Sequence, residues 1–456
     1  MKARLLVSGL LLCGSCFVIG CGDNGDRGGA TALSPGVAWV ARYVGLGDAQ
    51  EDQPKALAVD GAGNVYVTGH SGTTWPSSHY ATIKYGPGGD QLWAARYEGP
   101  AQGHHEARSI ALDGSGNVYV TGSVEVNRER NDFDYGTVKY SPDGNEAWVA
   151  HYGGESDFSK DQAVALSLDG TGNIYVTGSS DGDIATLKYD RDGNEMWARR
   201  FDAGSDGDVT LAFAKALAVD EAGNVYIAGD VNGAAFLILG YNTDGTLRFA
   251  TESTGSGEYN AAGLVLDGEG SIYFTGTADG DYLTIKYSAA GEELWSARYD
   301  GPGHGDDMAR ALSIDREGNV YVTGCTSMVV ESGQSTQTTV RYDSDGNLAW
   351  VRHYNGSGNP YTAPRSLAVG GQGDIYVSGV TGNVTAFSTA FSTIRYDADG
   401  TTVWAAQYNG PGDFEGLDLD DATAMAVDAS SNVYVTGTSY ASTTSSDYAT
   451  IKYVQR

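Results

Sequence analysis

Cysteine is scarce in this 456-residue chain: four residues, of which Cys13, Cys16 and Cys21 fall at the very start. Only Cys325 lies beyond them, so no intramolecular disulfide framework can hold the body together. Its place before a strand end reads as a packed thiol and not as a nucleophile. Histidine is sparse as well, at 7 residues, and none stands in an HExxH spacing. The GxxxxGK[ST] loop that cradles phosphate does not occur. Positive charge is short: Lys+Arg total 28 against Asp+Glu 58, a net charge of −30. Such a chain repels nucleic acid and anionic lipid head groups, so neither is expected as a partner. Charged partners would be cationic or bring metal ions; plain solubility is the simpler use of the same charge. No stretch shows a helical period.

The one long apolar run is at the start. Lys2 and Arg4 precede Leu5 to Gly20, a secretory signal too short to span a bilayer comfortably. It ends Val18-Ile19-Gly20-Cys21, which resembles a bacterial lipoprotein lipobox. The resemblance implies cleavage before Cys21 and acylation of its thiol, an anchor in the cell envelope. Cys16 after Ser15 is a competing site. Gly22, where Asp would signal retention in the inner membrane, points to the outer membrane by the same resemblance. Residues 1–20 thus read as signal peptide, 21–36 as lipidated Cys and flexible tether, and 37–456 as one folded domain.

What fills the chain is a repeat. Ala56 to Asp60 and Asn64 to Gly69 are β-branched and aromatic runs parted by the turn Asp60-Gly61-Ala62-Gly63. Thr82 to Tyr85 and Trp93 to Tyr97 follow, giving four short strands. The turn Asp or its equivalent recurs at Asp113, Asp169, Asp220, Asp267, Asp315, Gly370 and Asp428. Positions 60 to 428 span seven intervals, a mean of about 53 residues, and four strands per period is the signature of a propeller blade. Val65, Tyr66 and Val67 are all large, as expected of a sheet covered on both faces. The chain begins with a lone outer strand, residues 37 to 43, and ends on a third strand, Tyr448 to Tyr453. The two ends complete each other. The expected fold is all-β: a single eight-bladed β-propeller of four-stranded antiparallel blades, its ring closed by the N-terminal strand.

The pattern ALAVD-xx-GNVYVTG…YxTIKY-xxDGxxLWxxRY resembles the bacterial SBBP-type β-propeller repeat. That family's name implies seven blades, where this chain counts eight units, and it carries over no catalytic residue. A weaker resemblance is to PQQ-like repeat propellers, which occur in quinoprotein dehydrogenases and in an outer-membrane assembly lipoprotein.

Function should sit on one face of the ring. Connections from second to third strand are long at 70–79, 123–134, 325–337, 380–392 and 438–447, and short in the third, fourth and fifth units. Asp52, Glu106, Asp161, Asp307 and Asp421 lie seven or eight residues before their turn positions and should ring the mouth of the axial channel. They offer a site for calcium or a cationic ligand; the structural alternative is that they accept backbone N–H bonds where the strands begin. No other cofactor is expected. The run Asp413, Glu415, Asp418, Asp420, Asp421 is a second calcium candidate. The leading reading is a non-enzymatic binding or scaffold propeller lipoprotein that takes an envelope protein or polysaccharide. The alternatives are an enzyme acting on an envelope or extracellular polymer through axial carboxylates, and an outer-membrane assembly factor.

Overall fold

The computed structural model describes residues 35–45, 50–73, 77–101, 103–154, 160–204, 211–254, 257–327, 335–356, 361–383, 388–411, 418–441 and 444–455. Cys21, the apolar leader, Asp413 and Glu415 lie outside them. Among the described residues there are strands and turns and no helix.

The first unit shows how the sequence makes its sheet. Strands Gln50–Val59, Val65–Thr73, Ser77–Tyr85 and Gln91–Tyr97 pair antiparallel in chain order. Val65, Tyr66, Val67 and Ile83 are wholly buried, so both faces of the sheet are covered. The first turn is fixed by one carboxylate. Asp60 Oδ1 accepts the backbone N–H groups of Ala62 and Asn64, both at 2.9 Å, and Oδ2 accepts the Asn64 amide and the Tyr66 hydroxyl. Gly63 takes φ +82°, which a side chain would resist. The same carboxylate-to-Tyr hydroxyl bond recurs at Asp113, Asp169, Asp220, Asp267, Asp315 and Asp428.

Four four-stranded antiparallel sheets stand separately. An eight-stranded and a nine-stranded sheet each divide at a single parallel pairing, Glu51 with Ser446 and Ser335 with Tyr361. The first strand of each unit carries a one-residue bulge at one repeat position, as between Pro54 and Ala56 or Ala214 and Ala216. A bulge frees the backbone there from ladder pairing, so Pro54 and Pro364 are tolerated beside it.

First strands pack on one another: Gln50–Val59 lies against His105–Leu112, and so on to Asp421–Val427, which lies against Gln50–Val59. Outer strands are linked by an indole. Trp93 Nε1 donates to Pro142 O in the next unit at 3.0 Å, and Trp148, Trp197, Trp295 and Trp350 repeat the bond. In the fourth unit Phe249 replaces Trp, and the neighbouring Arg248 donates to Ala289 O instead. At the chain ends, Gly36–Tyr43 pairs antiparallel with Thr444–Val454, and Trp39 Nε1 donates to Pro87 O at 2.9 Å.

The long connections of the variable face differ from expectation. They are mostly ladder. The second and third strands of the first unit keep pairing outward through Ser71–His79, Gly72–Ser78 and Thr73–Ser77. The second unit extends to Asn127–Asp132 and the seventh to Asn383–Ser388. Added length is cheapest as hairpin, because every backbone group then finds a partner. Two of the short connections are two-residue turns, Asp181-Gly182 and Asp279-Gly280, and the fourth unit's is the three-residue turn Asn232-Gly233-Ala234; the Asp or Asn and the Gly of each take positive φ. The face therefore has tall hairpins on the first, second, sixth, seventh and eighth units and a low notch across the third to fifth.

Candidate functional site

The five carboxylates singled out from the sequence do not share one position. Asp52, Asp161 and Asp307 stand eight residues before their turn positions; Glu106 and Asp421 stand seven before theirs. On a strand one residue reverses the side chain's direction. The equivalents of the first three are His105 and Asp420, and all five are wholly buried. They do not line an open mouth.

Four of the five tie the connection arriving from the preceding unit to the second-to-third hairpin of their own, and Asp52 holds the incoming connection. Asp307 accepts the N–H groups of Gly301 and Ser327. Asp161 accepts those of Gly154 and Asp181, and Asp420 those of Gly410 and Tyr440. Asp52 accepts Gly45 N–H at 2.6 Å. His105 does the same work with a different atom set: Nδ1 accepts Glu125 N–H at 3.2 Å and Nε2 donates to Ala101 O at 2.8 Å. Burial disfavours the carboxylate form, and the nearby Asp281 and Asp300 add repulsion, so Asp307 is pushed up to about 6 despite its N–H partners. Asp281, Asp300 and Asp307 offer oxygens within 4.8 Å of one another, though Arg298 holds Asp281 at 2.9 Å. Asp134 is likewise pushed up to about 6 by burial beside Asp132 and Asp161.

Glu106 and Asp421 face cations. Glu106 takes Lys55 at 3.1 Å and Arg108 at 2.8 Å. Burial would raise its pKa, but the two cations outweigh it and hold it at about 2. Asp421 receives two nitrogens of Arg365, the nearer at 2.8 Å. Four histidines gather by Glu106. The His70 and His104 rings lie 6.0 Å apart and those of His79 and His105 6.3 Å apart. Burial first, and Lys55 second, press His70 down to about 3; burial presses His105 to about 4. His151 and His353, on the outer strands Glu146–Tyr152 and Leu348–Tyr354, bond the hydroxyls of Tyr97 and Thr338. Cys325 is buried, in keeping with a packed thiol. Gly178 to Gly182 match the GxSxG spacing of a nucleophile elbow, although no such elbow is expected from the repeat. Ser180 there ends a strand, is buried and accepts from Arg200, so it is no exposed nucleophile.

A different site was missed. Leu211, Phe213, Lys215, Asp230, Asn232, Gly233, Tyr259 and Asn260 line a cleft of about 520 Å³ between the fourth and fifth units, in the low notch. Lys215 Nζ stands 3.3 Å from Asp230 Oδ2. The signal was available: Phe213 is the one aromatic at a repeat position otherwise held by Gln53, Glu106, Gln162, Asn260, Met308, Ala363 and Asp421.

Residues 41–74 and 154–185 match the SBBP beta-propeller repeat. The chain is a β-propeller repeat protein. Residues 242–451 match the outer membrane protein assembly factor BamB. No curated protein matches the chain. Similar solved structures include the WD40 domain of SCAP from fission yeast, at 10% identity and TM-score 0.47, covering 88% of this chain and 96% of that one. A protein of unknown function from Bacteroides caccae is 15% identical with TM-score 0.36, covering 68% and 98%. The calcium-binding protein regucalcin from Agrobacterium tumefaciens is 13% identical with TM-score 0.34, covering 60% and 81%. No property of these three is carried to this chain.

Proposed function

We propose that the eight units close into one eight-bladed ring and that the protein is a non-enzymatic binding scaffold held at the outer membrane by acyl chains on Cys21. Closure is supported by the seam between the last and first units. It repeats the inner-strand packing and the indole-to-carbonyl bond of the other seams, and adds Thr423 to Pro54 O at 2.9 Å and Tyr448 to His70 O at 3.1 Å. The observation that carries the binding role is the contrast between faces. One face is the same Asp-fixed turn repeated; the other alternates tall hairpins with a notch, which is variation on a rigid frame where recognition concentrates. The match of residues 242–451 to an outer-membrane assembly factor favours the envelope, and supports a second reading in which the bound partner is an assembling membrane protein.

Cys21→Ser should move the full chain from the membrane fraction to the soluble one, since so acidic a surface has no affinity of its own for anionic lipid. Retention through a salt wash would overturn the anchor. Shortening the tip of the 70–79 hairpin, residues 73–77, to a two-residue turn should leave the thermal midpoint nearly unchanged, because His70, Ser71 and Ser78 keep their bonds, and should weaken retention of solubilised envelope material. Unchanged retention would overturn the role given to this face.

A further inference from the structure

The cleft between the fourth and fifth units mixes apolar and polar side chains in one lining. Leu211 and Phe213 are 42% and 39% exposed, and both lie in the lining of the cleft. Tyr259 adds a third apolar surface, its ring held edge-on to Phe236 at 4.9 Å between centroids. Polar groups share this lining, and Asp230 is the antiparallel cross-strand partner of Phe213. Asp230 stands where other units place His70, Ser123, Ser179, Thr277, Cys325, Val380 or Thr438. It is 6% exposed, and Lys215, at 35% side-chain exposure, reaches over it. Asn260 is exposed at the rim. Asn232 is already committed, its Oδ1 accepting Leu211 N–H at 2.8 Å, which fixes Leu211 in place.

This chemistry limits the ligand. Lys215 and Asp230 cancel, so the cleft asks for no net charge, and an anion would also meet the field of a chain at −30. The pair still offers ammonium donors on one side and a carboxylate acceptor on the other, with the Asn260 amide supplying both. The ligand must then present an apolar face to Leu211, Phe213 and Tyr259 and a rim of groups that donate and accept. A pyranose ring has that form, with C–H groups on its face and hydroxyls on its edge. The volume suits one or two such rings. We propose that this cleft binds an uncharged saccharide unit, with Phe213 as the stacking surface and the Lys215–Asp230 pair as the hydroxyl clamp. The proposal rests on the binding-scaffold reading and names its ligand class.

The test is calorimetric titration of the full chain in detergent with maltose, cellobiose, N,N′-diacetylchitobiose and glucuronic acid, and with a neutral aromatic tripeptide. At least one of the three neutral sugars should saturate, more tightly than glucuronic acid. Phe213→Ala and Asp230→Asn should each weaken it by about tenfold or more. Phe213 is exposed, so its variant should keep the parent's thermal midpoint; Phe213→Trp should retain binding, which covers a folding defect in Asp230→Asn. No saturable sugar, sugar binding indifferent to Phe213, or binding of the tripeptide alone would overturn the proposal. Shortening the 70–79 hairpin separates the two readings. If it weakens envelope retention while no sugar binds, the scaffold stands and the saccharide falls. If sugar binds through Phe213 while retention is indifferent to the hairpin, the reverse holds.

Discussion

The seam between the first and second units and the seam between the fifth and sixth are built on one plan and carry opposite chemistry. His105 and Asp307 hold the same repeat position, both wholly buried, and each fastens an incoming connection to a hairpin. Around His105 stand His70, His79 and His104, with Glu106 between Lys55 and Arg108. Around Asp307 stand Asp281 and Asp300, and Arg298 and His304 take one of these each. The fold requires a buried acceptor for a backbone N–H, and both a neutral imidazole and a carboxylate supply one. What it leaves open is the response to protons. The histidine seam is most stable when its rings stay neutral, while the aspartate seam gains when Asp307 takes a proton.

Both seams depend on sheets bounded on either side, so the largest way to break the comparison is to open the set. Deleting residues 36–43 strips the outer strand from Thr444–Val454 and removes Trp39 from Pro87. It exposes a strand edge with its N–H and C=O groups unpaired. The variant should aggregate or lose its cooperative transition, by scattering and calorimetry. An unchanged midpoint in a monomer would show that the ends do not close the ring.

Acidification should separate the seams next. His70 has a folded value of about 3 against 6.5 when unfolded, so the folded state binds fewer protons between them. Its contribution is whole above pH 6.5 and is lost as pH falls; at pH 5 the loss is about 2 kcal/mol. Asp307 has the reverse sign. With a folded value near 6 against 3.8, it adds stability as pH falls from 6 toward 3.8. Hydrogen exchange at pH 7 and pH 5 should therefore show the first two units opening more easily in acid and the fifth and sixth less. Equal change at both seams would sink the contrast.

How far the sequence could reveal these sites follows from what the repeat encodes. The four-strand unit was legible because its turn Asp, its Tyr and its outer Trp each make a fixed bond in nearly every copy. The pairing of residues 37–43 with the last strand was legible for the same reason, since an outer strand without its sheet stood at one end and a sheet without its outer strand at the other. The carboxylate set was only half legible. Counting back seven or eight residues blurred two strand faces, so Glu106 and Asp421, which meet Lys55, Arg108 and Arg365, were grouped with Asp52, Asp161 and Asp307, which meet backbone. The cleft was legible only in part: Phe213 stands out at its repeat position, but the contribution of Tyr259 and Asn260 comes from the next unit and needs the packing to be known.

A substitution can convert one seam into the other. His105→Asp should let the new carboxylate accept Glu125 N–H as Asp307 accepts Ser327 N–H. It abandons the bond to Ala101 O and the ring packing against Gly99. The expected cost is about 1–3 kcal/mol at pH 7, with a weaker loss of stability on acidification than the parent shows. A variant as acid-labile as the parent would mean that His105 takes no part in the response.

The smallest effect belongs to Asp307→Asn. The amide keeps one acceptor oxygen for the two N–H groups of Gly301 and Ser327, and its NH₂ must face a donor, at a cost of about 1–3 kcal/mol. Against this it removes a charge that burial and the neighbouring Asp281 and Asp300 disfavour at neutral pH. The two terms oppose, so the midpoint at pH 7 should move by only about 1 kcal/mol in equivalent stability. The pH profile should change more than the midpoint. The parent's gain between pH 6 and pH 4 at this seam comes from protonating Asp307, and an amide has no proton to take. Exchange rates in residues 301–327 should then become flat across that interval in the variant. If they still slow in acid as in the parent, Asp307 is not the titrating group and is only a backbone anchor.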